Sequence, residues 1–362
     1  MANLQQSSCN CKKSNHKSSS GLKTDNALDT LVQIDKVEFN TSTSLTDKRR
    51  LLSRARRKYL SSNLSLQFID YIRNPINPIP FEAHRERLIK STWNWYHCAS
   101  ALVLEGKKIT TKYCNSRMCF VCNSIRQAKY IRKFQPIIDE WKNGQFLTLT
   151  LPNVPADELR NTIRYMNHTF SRIKQMLYKR SKVGKGDKLI GIKKLEVTFN
   201  DKFNSYHPHF HFILNSKSNA IDVLNEWLKR TKHLGTKRIA QDVRPLTKNT
   251  SIELFKYHTK LVVSKSKMSK SSIYHNLVQL NALKHVRTVS HFGFDVEEVE
   301  AIEDLGVSGV DEDVYEDGNV PLYDVYQWND IDWYSITTGM PLTKHIPSMK
   351  STEFLEEFEN SG

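Results

Sequence analysis

Three histidines occupy alternate positions in one short segment, at His207, His209 and His211. Alternate side chains of an extended strand point to the same face, so the three imidazoles are expected to share one face. Phe210 then points to the other face and anchors the strand in a core. Because imidazole is a common ligand of divalent metal ions, the segment predicts a metal site with His209 and His211 as ligands.

A third ligand is expected on the preceding strand. If the turn between the two predicted strands centres near residues 202 and 203, opposing residue numbers sum to about 405, which places Glu196 opposite His209. His207 either joins the set or stays outside it, because Pro208 favours the start or edge of a strand. Two imidazoles and one carboxylate leave open positions that suit Mn²⁺ or Mg²⁺ carrying a substrate phosphate, and such a set also binds Zn²⁺ or Co²⁺.

A tyrosine downstream indicates a covalent reaction rather than simple hydrolysis. Glu253 and Tyr257 are four residues apart in a predicted helix over 251–264, so they share one helix face with Lys260. A phenol that attacks a DNA phosphate forms a phosphotyrosine and releases a 3′-hydroxyl. Glu253 is a candidate general base for water, and Lys256 and Lys260 are candidates to offset phosphate charge. The alternative is an ordinary amphipathic helix with a Glu–Lys pair, which the upstream histidines disfavour.

Four cysteines form a second candidate metal site. Cys98, Cys114, Cys119 and Cys122 follow one another with gaps of fifteen, four and two residues. Four thiolates satisfy a tetrahedral Zn²⁺ ion, and a two-residue gap lets one turn supply two ligands. The cluster is therefore interpreted either as structural zinc or as small buried cysteines. Arg117 lies inside it and is a candidate DNA contact.

The elements that position these residues alternate in type. Strands are predicted over 146–151, 191–199, 206–214 and 237–244, and helices over 157–180, 220–231 and 251–264. This order predicts an α+β fold with an antiparallel-rich sheet and helices, close to a ferredoxin-like arrangement.

Composition divides the chain into four regions. Residues 1–45 are polar and predicted to be a disordered arm, and 46–140 form a basic, mostly helical region with the cysteine cluster. Residues 141–290 carry the histidines, and 295–362 form an acidic region that is either a small module or a tail.

The charge of the chain is strongly asymmetric. The formal net charge is +16, although residues 295–362 contain 18 acidic residues and only two lysines. So basic a body indicates a polyanionic partner, most often nucleic acid, and the alternative is a lysine-rich soluble protein. Arg54, Arg56 and Arg57 lie on a basic predicted helix that either meets phosphate or forms a solvated face. With no long apolar run and no secretory leader, the sequence predicts a cytoplasmic protein that contacts no membrane.

The histidine segment and its flanks resemble a known family. The runs 194–200 and 206–212 (KLEVTFN and YHPHFHF) are similar to the metal motif of rolling-circle plasmid replication initiators of the single-tyrosine type, members of the HUH endonuclease superfamily. Residues 146–150 with Asn153 are similar to the first family motif, and Glu253, Tyr257 and Lys260 to the third. The cysteines at 114, 119 and 122 resemble a segment found in part of the family.

The resemblance implies the HUH endonuclease fold and a metal-dependent, site-specific DNA nickase and strand transferase. It implies that Tyr257 is the nucleophile and that Glu253 activates water at termination. Origin DNA, single-stranded at the nick, is the implied substrate, with a host helicase and DNA polymerase as partners and no small-molecule cofactor. Rival interpretations are a relaxase or single-tyrosine transposase with the same chemistry, and a non-catalytic zinc-containing DNA-binding regulator. The position of Tyr257 after the histidines disfavours a relaxase.

Overall fold

The strands of the histidine region form one five-stranded antiparallel sheet. The computed structural model describes residues 48–105, 108–247, 254–255, 269–296 and 323–347. In this sheet the order is β6-β3-β5-β4-β7, where the strands are β3 (Gln145–Thr150), β4 (Gly191–Asn200), β5 (Ser205–Leu214), β6 (Asp242–Pro245) and β7 (Val289–Phe292). The histidine strand β5 therefore lies at the centre, between β3 and β4.

Three helices cover one face of this sheet: α4 (Leu159–Lys182), α5 (Lys217–Thr231) and α6 (Lys270–Ala282). The apolar residues of α4 that recur every three or four positions are buried, as the sequence pattern predicts: Leu159, Ile163, Met166, Phe170, Ile173 and Leu177. They pack with Phe210, Phe212 and Trp227 in one continuous core. The even-numbered side chains of β5 are thus buried under helices, which leaves the odd-numbered histidines on the opposite face.

A smaller cluster fills one end of that opposite face. Phe146, Ile192 and Ile213 meet across the three central strands and pack against Phe134 of α3 (Phe120–Asp139) and against Phe255. The rings of Phe134 and Phe255 are stacked with centroids 5.7 Å apart. Leu254 and Phe255 are helical, and both are buried in this cluster.

Helices α1 (Lys48–Arg73) and α2 (Arg85–Tyr96) pack beside a second antiparallel sheet, of order β2-β1-β8-β9. Its strands are β1 (Ala101–Glu105), β2 (Lys108–Thr110), β8 (Tyr323–Asn329) and β9 (Asp332–Ser335). The register pairs Val103 with Val325, so a hairpin from the acidic C-terminal region completes the sheet of the cysteine region. Trp333 donates its indole N–H to the carbonyl oxygen of Ala99 over 2.8 Å and is fully buried.

The observed architecture is the predicted α+β fold with antiparallel sheets and helices. Sequence patterns did not predict β1, β2, β7, β8 or β9, all of which are short. Helix α6, which contains Tyr274, was not predicted either; Ser269 caps it by accepting from the Ser272 amide. Among the described helices, none is both long and apolar enough to cross a lipid bilayer.

Candidate metal centre

Glu196, His209 and His211 converge on the face of the sheet that the helices leave open. Strand register places Glu196 opposite His209, which is the pairing expected from a turn near residues 202 and 203. The Nε2 atoms of His209 and His211 each lie 3.5 Å from the same carboxylate oxygen, Oε2 of Glu196. One ion at about 2.1 Å from its ligand atoms separates them by about 3.0–3.4 Å, depending on the bond angle. The three residues are therefore spaced to hold one divalent cation.

Each histidine of the run is held through its Nδ1 atom. His209 donates to the carbonyl oxygen of His207 over 3.0 Å, and His207 donates to Oδ1 of Asn153 over 2.8 Å. Nδ1 of His211 lies 3.0 Å from Oγ1 of Thr148. A proton on Nδ1 leaves the Nε2 lone pair free, which is the usual tautomer of a metal-binding histidine. The hydrogen bonds thus prepare Nε2 of His207 and His209 as ligand atoms.

Strand β3 and the residues that follow it supply two of these partners. Thr148 belongs to β3 and Asn153 follows it, in the segment that resembles the first family motif. Neither residue was among the predicted site residues. Strand alternation could have indicated Thr148. If β3 pairs antiparallel with β5 so that Phe146 lies opposite Ile213, then Thr148 lies opposite His211 and on the same face as the histidines.

His207 stands apart from the other two histidines. Its ligand atoms do not fall in the compact group that Glu196, His209 and His211 form among the described residues. Its ring centroid is 5.2 Å from that of His209. The alternative that leaves His207 outside the ligand set is thus favoured, with the residue beside the centre rather than in it.

Electrostatics favour an ionised carboxylate at Glu196 and lower the pKa values of His207 and His211. Burial alone raises the pKa of Glu196, but hydrogen bonds from His209 and His211 and the charge of Lys194 outweigh it and hold the pKa well below its usual range. Burial, and secondarily the charges of His209 and His211, lower the pKa of His207 from 6.5 to about 4. Burial also lowers the pKa of His211, against the opposing effect of Glu196. A carboxylate that is already ionised accepts a cation without first losing a proton at neutral pH.

The depressed pKa of His207 predicts acid sensitivity of the metal-free protein. Between pH 6.5 and about pH 4, His207 binds a proton in the unfolded chain but not in the folded protein. The free energy of unfolding should therefore fall as the pH drops through this window. Urea unfolding in the presence of a chelator at pH 7 and pH 5 measures this loss of stability. The His207→Gln variant should lose less stability between the two pH values than wild type. The exposed His84 supplies the control, and an equal reduction in His84→Gln would contradict the assignment.

The four cysteines also converge. Sγ of Cys122 lies 3.5 Å from Sγ of Cys98 and 3.6 Å from Sγ of Cys114, and Cys119 completes the group. Zinc–sulfur bonds of about 2.3 Å at tetrahedral angles place sulfurs about 3.8 Å apart. Cys119 begins α3 and Cys122 lies in its first turn, so the two-residue gap brings both thiols to one point.

Charge near the cysteines favours one thiolate at Cys119, because hydrogen bonds among the cysteines raise the pKa values of Cys98 and Cys114 above their usual value. Burial opposes ionisation of Cys119, but hydrogen bonds from the other three cysteines and from Ser61 outweigh it and hold the pKa of Cys119 well below its usual value. Lys58 is buried nearby, and burial lowers its pKa to about 8, partly offset by the cysteine charges. A buried ammonium near a buried thiolate compensates part of its negative charge.

The candidate DNA contacts on α1 are half-buried rather than fully exposed, at Arg54, Arg56 and Arg57. Arg117 donates from Nη2 to the carbonyl oxygen of Val286 over 2.6 Å, so it ties the cysteine loop to the segment that precedes β7. Glu253, Lys256, Tyr257 and Lys260 lie outside the described residues.

Comparison with known proteins places this arrangement in a family. The sequence profile of the replication protein family matches residues 105–332, well over half of the chain. The chain belongs to the replication protein family. Membership confirms the resemblance to rolling-circle plasmid replication initiators, and the matched range contains both metal-ligand clusters except Cys98.

Individual relatives agree with the family assignment. The Protein rep of Staphylococcus aureus is 35% identical over 171 residues, which cover 42% of this chain and 70% of the relative. The Protein rep of Streptococcus pneumoniae is 39% identical over 113 residues, covering 29% of this chain and 33% of the relative. The chain thus spans a third of one relative and over two thirds of the other. No solved structure matches the chain.

Proposed function

We propose that this member of the replication protein family nicks one DNA strand at a plasmid origin through a covalent tyrosine–DNA intermediate. The observation that carries the proposal is the convergence of Glu196, His209 and His211 on the open face of the sheet. A site of two imidazoles and one carboxylate has ligand positions left over for a phosphate, in contrast to a closed structural site. Family membership supports origin DNA as the substrate.

Mn²⁺ or Mg²⁺ bound at this site would polarise the scissile phosphate and offset the negative charge of the transition state. The chain's own residues hold the reacting groups. Glu196, His209 and His211 would fix the phosphate through the ion. The Nδ1 contacts of His211 with Thr148 and of His209 with the carbonyl oxygen of His207 keep the two ligand rings from turning.

Tyr257 is the proposed nucleophile. Its phenolate oxygen forms a bond to phosphorus while the bond from phosphorus to the 3′ oxygen breaks, which conserves the phosphodiester bond and leaves a 3′-hydroxyl primer. The phenol proton passes to a general base, and the 3′ oxygen leaves with a proton from solvent. Support comes from Phe255, which packs on the histidine face of the sheet. Tyr257 follows two residues later, and two residues span at most about 7 Å.

The remaining catalytic roles rest on the family resemblance. Glu253 would activate water at termination, and Lys256 and Lys260 would support the phosphate charge. Arg54, Arg56, Arg57 and Arg117 are proposed phosphate contacts. A host helicase and DNA polymerase are the proposed partners after nicking. Residues 141–290 are proposed as the nickase domain, between a cysteine region at 46–140 and the acidic region from 295.

A plasmid-nicking assay tests the proposal. Purified chain with Mn²⁺ should convert supercoiled plasmid carrying its own replication region to open circles, and a chelator should stop the reaction. Combined His209→Ala and His211→Ala substitution should lower the rate by at least about a hundredfold, because the ligands of a required ion are lost. The exposed His84→Ala variant is the matched control.

Two outcomes oppose the proposal. Nicking that survives the double histidine substitution would show that the ion is held elsewhere. Wild-type chain that binds plasmid DNA but never cuts it would favour the non-catalytic regulator instead.

A second proposal concerns the cysteine cluster, which would hold a structural Zn²⁺ ion. Four sulfur atoms close enough for tetrahedral coordination leave no position for a substrate. The ion would fix the start of α3, which runs from the cysteines to the histidine face of the sheet. Zinc content measured on the purified chain tests this directly.

A further inference from the structure

A buried lysine shares the carboxylate of the metal centre. Lys194 lies on β4, opposite His211 in the register and on the same face as Glu196. Its side chain is 1% exposed, and its Nζ atom is 2.5 Å from Oε1 of Glu196. A buried ammonium is costly to maintain unless an anion pairs with it. Glu196 thus has two partners, the lysine and the imidazoles.

The two oxygens of Glu196 are divided between these partners. Oε1 faces Lys194, whereas Oε2 lies 3.5 Å from Nε2 of both His209 and His211. A carboxylate held in this way offers one oxygen to an ion. Mg²⁺ and Mn²⁺ prefer six oxygen or nitrogen ligands, so single-oxygen coordination leaves more positions for phosphate and water than a bidentate carboxylate would.

The lysine also changes the charge that the substrate meets. An imidazole that coordinates an ion carries no charge, so one carboxylate, one ammonium and two imidazole ligands sum to zero, and a bound divalent ion keeps its full charge toward an anionic phosphodiester. Without the ammonium, the carboxylate would neutralise half of that charge. The same ammonium repels the ion, since like charges a few ångströms apart in a protein interior interact strongly.

We infer that Lys194 is a positioning residue that holds Glu196 to one-oxygen coordination, so that metal affinity is lowered and phosphate affinity of the loaded site is raised. The inference rests on the proposed metal-dependent function. This role differs from that of a merely structural lysine, because loss of a structural residue would lower the metal affinity and the phosphate affinity together.

The neighbouring Lys193 provides a matched control. It is also buried, but it lies on the helix-covered face, where Nζ donates to Oδ1 of Asn167 over 2.6 Å and sits 4.5 Å from the centroid of the Phe210 ring. Lys193→Met removes a buried ammonium one residue away without touching Glu196. Its effect on metal binding measures what general loss of packing would do.

Mn²⁺ binding to the full chain, followed by the paramagnetic signal of the free ion, tests the inference. Lys194→Met should bind Mn²⁺ about tenfold more tightly than wild type or tighter, and Lys194→Arg should return the affinity toward wild type. Lys193→Met should leave it unchanged. Inorganic phosphate, added to Mn²⁺-loaded protein and followed by water proton relaxation, should bind several-fold more weakly to Lys194→Met.

Failures of the two ideas are distinguishable. Wild type that binds no Mn²⁺ overturns the metal site and the inference with it. If wild type binds Mn²⁺ and the Lys194→Met variant binds it with equal or weaker affinity, only the role of Lys194 is overturned. If Lys194→Met does not fold, as judged by circular dichroism, Lys194→Gln replaces it under the same criteria.

Discussion

Tyr257→Phe is expected to lower the rate of DNA cleavage by more than about a thousandfold, because no other group replaces a lost nucleophile efficiently. The metal centre should survive, since Glu196, His209 and His211 lie on β4 and β5 and need nothing from the tyrosine. Mn²⁺ affinity should therefore equal that of wild type. The decisive measurement is a covalent tyrosine–DNA adduct, mapped by mass spectrometry after digestion of the protein.

Tyr274→Phe is the control for this experiment. Tyr274 lies in α6 and packs against the core on the helix-covered side of the sheet, so its variant should form the adduct at the wild-type rate. An adduct that persists in Tyr257→Phe, or that maps to Tyr274, would refute the proposed nucleophile while leaving the metal centre intact.

Cys119→Ser should abolish zinc binding and unfold the region around the second sheet. Zinc in small Cys-rich sites contributes on the order of 10 kcal/mol to folding, and Cys119 is fully buried among its three partners. Zinc content should fall from one ion per chain to none. Amide exchange should rise across β8 and β9, because Trp333 and Trp328 hydrogen bond to the turn at Ala99 and Ser100, directly after Cys98.

The chain offers a matched control for this experiment in Cys9, which lies in the polar segment 1–45, outside the described residues. Cys9→Ser should keep its zinc and its exchange pattern. Buried cysteines without metal remain the alternative to zinc. Wild-type protein that carries no zinc after expression in zinc-rich medium would establish this alternative.

The metal face was predictable because it depends on local rules. Strand alternation placed His209 and His211 together, and the short turn before β5 fixed the register that brings Glu196 opposite His209. The buried face of α4 followed from apolar spacing in the same way. The grouping of the four cysteines followed from the ligand number and geometry of zinc.

Features that depend on distant or weak signals were not predictable. β1 and β8 pair across more than two hundred residues, and neither strand has a strong alternating pattern. Lys194 had no visible role, because lysines in strands usually reach solvent and only the structure shows this one buried. Helix α6 was also not predicted, although Ser269 is a good helix cap.

The pairing of β1 with β8 has a consequence for synthesis of the protein. The ribosome makes residue 105 and then needs roughly 10–45 s to reach residue 323 at ordinary elongation rates. During the second half of that interval, after residue 214 has been made, all residues of β4 and β5 are present, while β1 still lacks its partner strand. A nascent or truncated chain can therefore carry every residue of the metal centre while the second sheet is still incomplete. The second sheet can close only after β8 has been made.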